Sequence, residues 1–253
     1  MKFLNLAIFP IAFLLLGIVA LPSCSSTEKI DVASAEGAYQ LAKKYEGDER
    51  YEEALIQYAE VKNKHPYSRF ATLSELATAD IHFKREAFIE SESAYRLFKE
   101  FHPEHEQIDF VTFRLGLSIF KQLPSTIDRD LSLAGRAMLY FDEVVSSYAQ
   151  SQWAKEAQDY KQKTLVMLAE KEKYIADFYF IRDQYDSALS RYEQLLTLYS
   201  GLGLDAKALY GATVSAFKTE QKDKTEKYLD ELKKRYPDSP EYARAKKEVT
   251  RGL

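Results

Sequence analysis

The sequence predicts an all-α protein, an α-solenoid of five TPR-like helical hairpins with about ten helices. Only 9 glycines and 7 prolines occur among 253 residues, while Ala, Leu, Glu, Lys and Gln are abundant. These five side chains lose little rotamer freedom in a helix. A short turn signal also recurs at intervals typical of stacked hairpins, and 46% hydrophobic residues suffice for a substantial core.

The first 23 residues predict a secretory signal peptide. Lys2 precedes an almost wholly apolar run over residues 3–21, and the run ends in the sequence LPSC at residues 21–24. This ending resembles a bacterial lipobox, although Pro22 replaces the usual small residue. Two alternatives remain open. The segment could be an uncleaved anchor, since about 20 apolar residues span a bilayer, or a plain signal peptide with an incidental cysteine.

Cys24 is the only cysteine of the chain and the predicted site of lipid attachment. We expect it to carry a covalent diacylglycerol and an N-acyl chain, and we expect no other cofactor. Residues 24–34 would then hold the lipidated cysteine and a short flexible tether. The remaining residues, 35–253, predict a single superhelical domain.

Five segments punctuate this domain in nearly the same way, each with an aromatic residue or a histidine where a helical run stops. Set in register, these terminator residues are spaced by 37, 46, 51 and 37 positions, as expected for stacked hairpins with two enlarged members. We therefore expect each one to close a hairpin before the next begins. The terminators are His65, His102, Tyr148, Tyr199 and Tyr236.

The residues before each terminator repeat a small, large, large pattern. Positions eleven, seven and four before it share one helix face, so this face would pack closely on a partner helix. The small residues are Ala54, Ser91, Ala137, Ala188 and Thr225, and the large ones are Tyr58, Tyr95, Phe141, Tyr192 and Leu229, then Val61, Phe98, Val144, Leu195 and Leu232. Three residues past a terminator, Ser68, Ser151 and Ser239 can each cap the next helix.

The first and fourth units resemble the tetratricopeptide (TPR) repeat. The period of 37 and the long segment over residues 153–174 depart from this family's repeat and predict lengthened helices. The matching residues are Ala38, Leu41, Ala42, Tyr45, Ala54, Tyr58, Val61 and Pro66 in the first unit, and Ile175, Ala176, Tyr179, Ala188, Tyr192 and Leu195 in the fourth.

Residues 118–134 predict a loop between the two helices of the third unit. Pro124 and the sequence DRD at residues 128–130 are its turn signals. Arg129, between two acids, could organise the loop or contact a partner. The alternative is a solvated turn.

Composition and motifs exclude several functions. A formal net charge of −4 argues against a nucleic-acid partner, because such proteins present a basic surface to phosphates. No glycine-rich phosphate loop occurs. His102 and His105 could be offered as metal ligands, but His102 occupies a terminator position and is more simply a packed turn residue. We therefore predict no metal site and no enzymatic activity.

The aromatic side chains divide into two groups. Those at repeat positions, such as Tyr58 and Tyr192, are predicted core residues. Four others remain open between core and surface, and a solenoid groove could bind peptides with such side chains. These four are Tyr67, Phe70, Phe83 and Phe88.

Three segments resemble the BamD family of lipoproteins of the outer-membrane β-barrel assembly (BAM) machinery. They are HPEHEQIDFVTFRLGL at residues 102–117, the DRD loop followed by Ala134 and Arg136, and KYIADFYFIRDQYDSALSRYEQLL at residues 173–196. The resemblance implies a non-catalytic scaffold, lipid-anchored on the periplasmic side of the outer membrane. Its partners would be the barrel protein BamA, unfolded outer-membrane proteins and other lipoproteins of the complex. The alternative is a TPR lipoprotein with a structural or cell-wall-associated role.

The same resemblance implies where partners bind. Repeats over residues 151–253 would face the POTRA domain of BamA, with Arg191 and Arg182 in contact. Repeats over residues 35–150 would face the substrate's sorting signal, with His65, Arg96 and Lys99 at the surface. For Arg191 the alternative is an intramolecular pair with a neighbouring glutamate.

Overall fold

The computed structural model describes residues 30–251, and this part of the chain consists of eleven α-helices joined by turns. The all-α prediction is confirmed. Ten helices form the five predicted hairpins, and an eleventh packs on the last hairpin. The helices are α1 (Ala35–Gly47), α2 (Tyr51–Lys64), α3 (Arg69–Lys84), α4 (Phe88–Phe101), α5 (Ile108–Lys121), α6 (Leu133–Ser147), α7 (Ala154–Phe180), α8 (Tyr185–Leu198), α9 (Asp205–Lys218), α10 (Lys222–Arg235) and α11 (Pro240–Arg251).

The helices stack in chain order. Within residues 30–251, each helix packs on the next one, and α1 also contacts α3, α5 contacts α7, α7 contacts α9, and α9 contacts α11. A stack in which each unit contacts mainly its neighbours is an α-solenoid. The predicted lengthening is concentrated in α7, which has 27 residues. In this part of the chain, no helix is both long and apolar enough to cross a bilayer.

All five terminators lie where they were predicted. Each directly follows the second helix of a hairpin, and its N–H donates to the carbonyl four residues back, as in the 2.9 Å bond from His65 to Val61. That earlier residue is also a core residue of the predicted stripe. The turn signal and the packing pattern therefore share one register.

The predicted stripe is buried throughout, with one exception. Leu229 is only partly buried, and Tyr228 takes the core position instead. The buried position at this turn is thus one residue earlier than predicted, and the Tyr228 hydroxyl donates to Glu193 on α8 over 2.7 Å. Leu229 still packs against the core, as predicted, but is less buried than Tyr228.

Three stripe tyrosines bond to a carboxylate on the first helix of their own hairpin. Tyr58 donates to Glu46 and Tyr192 donates to Asp177, each over 2.7 Å. Tyr95 donates to Asp80. Burial, followed by the neighbouring carboxylate, raises the pKa of all three hydroxyls well above the ordinary value. These neutral donors satisfy polar groups inside the hairpins and join their two helices.

Four of the five hairpins turn through an acidic residue in the left-handed region. Glu49, Glu86, Asp183 and Glu220 have φ between 57° and 59°. A side chain in this region costs energy that glycine avoids. The turn backbone is thus imposed by the packed helices on either side.

Two of the three predicted serine caps are present. Ser68 Oγ accepts from the Ala71 N–H at 3.2 Å, and Ser239 Oγ accepts from the Tyr242 N–H at 3.1 Å. The prediction for Ser151 was wrong, because α7 begins only at Ala154. The Ser151 hydroxyl accepts from the Trp153 N–H at 3.1 Å, just before the helix, and donates to Asp109 over 2.6 Å.

The loop of the third unit is shorter than predicted. Helix α5 continues through Lys121 and α6 begins at Leu133, which leaves residues 122–132 between them. Leu131 is buried, and Lys171 on α7 donates to the carbonyls of Asp128 and Arg129 at 3.1 Å. The Arg129 side chain is exposed. The backbone of this residue, rather than its guanidinium, holds the loop.

Candidate functional site

Arg191 lies on α8 at the surface of the fourth hairpin. Its Nη1 donates to Glu172 Oε2 at 3.3 Å and to Gln194 Oε1 at 3.2 Å, and the side chain is 38% exposed. The intramolecular pair weighed from the sequence is therefore present. A long, half-exposed pair contributes little to stability. Because a guanidinium has five N–H donors, donors remain for a partner.

Arg182 lies in the turn between α7 and α8, as predicted. Its Nη1 donates to the Phe178 carbonyl at 3.0 Å, and its guanidinium stacks over the Phe178 ring at 3.6 Å from the centroid. The charge is thus held at the C-terminal end of α7, where cations are favoured.

An exposed apolar stripe runs beside Arg182 along the last two turns of α7. Tyr174, Phe178 and Ile181 are 45%, 42% and 73% exposed. We name these three residues the α7 stripe. Their spacing of four and three positions places them on one helix face. The predicted pattern covered only the core face of this helix, so the stripe was not predicted, although the spacing of these three residues is a signal for a second apolar face.

The three residues predicted to bind substrate are not brought together by any described contact. His65 ends α2 and is partly buried. Lys99 donates to Glu143 Oε1 at 2.6 Å and to Thr112 Oγ1 at 3.1 Å, so it links α4 to α5 and α6. Arg96 is exposed, and within residues 30–251 it has no hydrogen bond or ion pair.

A groove of about 160 Å³ lies between α2, α3 and α4, on a different face of α4 from Arg96. Leu97 and Phe101 line it and are largely exposed. Lys62, also in its wall, pairs with Glu75 at 3.3 Å. This surface joins apolar side chains to a cation, and sequence reasoning did not find it because its walls come from three helices.

The two histidines of the HPEHE segment pack as turn residues. His102 Nε2 lies 2.7 Å from Glu75 Oε2, and its ring centroid is 4.8 Å from that of Phe98. His105 Nδ1 accepts from the Gln107 N–H at 3.2 Å. Across residues 30–251, no group of three or more His, Cys, Asp or Glu side chains is placed to hold a metal ion.

The structure assigns the four aromatic residues that the sequence left undecided between core and surface. Phe70 packs against Tyr39 with ring centroids 5.5 Å apart, and Phe83 packs edge-on against Phe88 at 5.4 Å. Tyr67 is fully exposed. Three of the four are therefore structural.

Cys24 and the predicted signal peptide lie outside the described residues, as do residues 252–253. The lipid anchor and the cleavage site stay predictions.

Comparison with known proteins places the chain in a family. A family model described as an outer membrane lipoprotein, YfiO, matches residues 32–209, and a tetratricopeptide repeat model matches residues 207–239, which include α10 and most of α9. This chain is similar to the crystal structure of YrrB, described as a TPR protein with an unusual peptide-binding site. The two sequences are 18% identical, and the match covers 86% of this chain and 94% of YrrB. Its TM-score of 0.35 is too low to support an argument.

Several relatives carry the name outer membrane protein assembly factor BamD. That of Neisseria meningitidis serogroup A is 25% identical over 197 residues, covering 72% of this chain and 74% of the relative. That of Rickettsia prowazekii is 24% identical over 240 residues, covering 92% and 93%. Because the lipoprotein model matches well over half of the residues, this chain belongs to the YfiO family of outer membrane lipoproteins, of which BamD proteins are relatives.

Proposed function

We propose that this chain is a non-catalytic scaffold for the assembly of outer-membrane proteins, anchored to the periplasmic side of the outer membrane through lipid on Cys24. Its C-terminal repeats bind the POTRA domain of BamA, and its N-terminal repeats receive unfolded outer-membrane proteins. Family membership and the relatives named as assembly factors support this role. The observation that carries the BamA contact is the α7 stripe beside Arg182. Arg191 is included because its side chain is 38% exposed and keeps donors for a partner.

The surface around the stripe has the composition of a protein interface. Exposed aromatic and aliphatic side chains gain about 25 cal/mol per Å² of apolar area removed from water. An arginine at the edge of such a patch, here Arg182, adds charge-assisted, bidentate bonds to a carboxylate of the partner. Arg182 is pre-ordered by its stacking on Phe178, so little conformational entropy is lost when it binds.

The substrate contact is proposed for the N-terminal repeats, around Arg96 and the groove of Leu97 and Phe101. In the groove, Lys62 lies beside apolar side chains, which suits a sorting signal that presents aromatic residues and a terminal carboxylate. Arg96 adds an exposed cation on another face of α4. Lys99 and His65 belong to the same proposal. For Lys99, a substrate carboxylate would have to replace Glu143.

Charge reversal tests the BamA contact. Arg191→Glu should reduce co-purification of BamA from membranes, because it removes the cation and places a carboxylate opposite the partner's acid. The same change also sets the introduced carboxylate against Glu172, so a matched variant is needed. Arg191→Glu combined with Glu172→Arg restores the intramolecular pair at the same positions.

The two variants separate an internal role from an intermolecular one. If Arg191 contacts BamA, the single variant and the swapped variant both lose BamA while helicity is unchanged. Recovery of BamA by the swapped variant would mean that only the internal pair matters. Full recovery by the single variant would remove Arg191 from the interface, and capture of wall-associated proteins without BamA would favour the structural role instead.

The anchor has its own test. Cys24→Ser removes the thiol that would accept the lipid, so the protein should leave the membrane fraction and lack the acyl mass increment. The measurements are membrane fractionation and intact-mass spectrometry. Unchanged fractionation would contradict anchoring through Cys24.

A further inference from the structure

A cavity of about 370 Å³ opens where the N-terminal ends of α5 and α7 meet α3. Its wall contains the rings of Phe110 and Trp153 and the carboxylates of Asp80, Glu106 and Asp109. None of the residues assigned above to BamA or substrate lines it. The cavity is therefore a separate surface.

The aromatic wall is rigid. The ring centroids of Phe110 and Trp153 lie 5.2 Å apart, and Trp153 stacks on Phe113 at 5.5 Å with an interplanar angle of 12°. Phe113 is a buried core residue. The Trp153 ring is thus supported by a core residue and also lines the cavity, so a ligand would meet a surface that is already ordered.

The carboxylates give the cavity a negative charge. Asp109 accepts from Ser151 Oγ at 2.6 Å and from the Phe110 N–H at 2.8 Å, and Asp80 accepts from Tyr95. Glu106 is exposed and has no partner within residues 30–251. In the part of the chain that the structure describes, no lysine or arginine lines the wall.

One cation of the chain, Arg114, does not line the cavity but contacts a residue of its wall. The guanidinium of Arg114 lies 5.2 Å from the Phe110 ring centroid and 4.3 Å from that of Phe83. Its positive charge also attracts the Asp80 carboxylate. Lys84 also acts on Asp80 but is bound to Glu46. Among the described residues, neither cation pairs with Glu106 or Asp109, which line the cavity beside the two rings.

We propose that this cavity binds the side chain of an arginine from an extended polypeptide. A guanidinium can stack on an indole or phenyl face and donate in a fork to a carboxylate, and both groups are present in one wall. Arg114 already lies over the Phe110 ring within the chain, so the Trp153 ring, which lines the cavity and is partly exposed, is the one that remains for an external guanidinium. The charge of the wall selects a cationic group over a neutral or acidic one.

The neighbouring surface gives the rest of such a peptide a path. A second cavity of about 490 Å³ shares Glu106 and Asp109 with the first and continues along residues 146–151. This inference goes beyond the proposed function, because it concerns a basic segment rather than the acidic groups expected on BamA or at a sorting signal's carboxylate.

The cavity contains its own reporter, since Trp153 is the only tryptophan of the chain. The full-length protein in detergent is titrated with a blocked Gly/Ser peptide that contains a single arginine, while tryptophan emission is recorded. The control peptide carries citrulline, which has the same shape without the charge. We expect a saturable emission change with arginine only, and weaker binding at high salt. Equal responses to both peptides would overturn the proposal.

A conservative pair of variants locates the binding. Glu106→Gln removes one charge of the cavity wall from an exposed position, so it should leave the fold intact. It should lower the affinity for the arginine peptide by about five-fold, as expected for a partly exposed ion pair. Glu104→Gln changes an exposed neighbour outside both cavities and should leave the affinity unchanged. Unchanged affinity in the Glu106 variant, or an equal loss in both, would refute this site. Neither result depends on BamA recovery by the Arg191 variants.

Discussion

Replacing Asp205 by asparagine should destabilise the C-terminal hairpins strongly. The Asp205 side chain is 2% exposed. Its Oδ1 accepts from Ser200 Oγ at 2.7 Å and from Arg235 Nη2 at 2.9 Å, and its Oδ2 accepts from the Gly201 N–H at 2.8 Å. One carboxylate thus joins the α8–α9 turn to the end of α10.

The size of the effect follows from these three bonds. An asparagine keeps one oxygen and presents an NH₂ group at the other position, so at least one of the three donors loses its acceptor. Hydrogen bonds to a charged group contribute about 1.5–3 kcal/mol each, and the Arg235 contact also loses its counter-charge. We expect a loss of about 2–4 kcal/mol in the free energy of unfolding, or roughly 10 °C in Tm.

The pH dependence gives the prediction a second, independent readout. Burial alone would raise the pKa of Asp205, but the hydrogen bonds from Ser200, the Gly201 amide and Arg235 outweigh it and lower the pKa. A lowered carboxyl pKa adds stability above the unfolded value of about 3.9, and this stability is lost as the pH falls through the folded pKa. The stability gap between wild type and Asp205→Asn should therefore be constant near neutral pH and narrow below about pH 4.

The assay is urea and thermal unfolding followed by far-ultraviolet circular dichroism, with Asp230→Asn as the matched control. Asp230 lies on α10 with no hydrogen bond or ion pair among the described residues, so this control should change stability by less than about 0.5 kcal/mol. A similarly small effect for Asp205→Asn, or a gap that widens in acid, would refute the reasoning about the buried carboxylate.

Two backbone positions give further predictions. Gly211→Ala should cost about 1–2 kcal/mol, because its Cβ would lie 2.3 Å from the buried ring of Tyr192, and overpacking outweighs the gain in helix propensity. Gly135→Ala meets no atom within 4 Å and should be neutral or slightly stabilising in the same unfolding assay; equal losses would contradict the clash. Glu220→Gly should raise the free energy of unfolding by about 0.5–1 kcal/mol, because φ is 57° at this residue and glycine adopts that conformation without strain. Glu226→Gly, inside α10, should instead lower the free energy of unfolding. A decrease in both variants would show that the turn is not strained.

Sequence patterns predicted most of the hairpin architecture. The terminators, the stripe of small and large side chains and the caps at Ser68 and Ser239 depend on contacts within a few residues, which periodicity records directly. The differences lie at residues whose partners are distant in the sequence, which periodicity does not record. Ser151 donates to Asp109, 42 residues away, and Tyr228 rather than Leu229 is the buried residue that meets Glu193 on α8.

The sequence by itself determined the class of this protein, the register of its five hairpins and the family it resembles, because helix periodicity and turn chemistry are properties of neighbouring residues. Only the tertiary structure decided which charged side chains are already paired within the chain and which surfaces remain exposed to solvent. Lys99 is bound to Glu143 on another helix, Arg96 is open to solvent, and the α7 stripe and the Trp153 cavity acquire their surroundings from packed neighbours. Interaction sites of a solenoid are made from the faces of several helices, so their composition follows from how the hairpins stack.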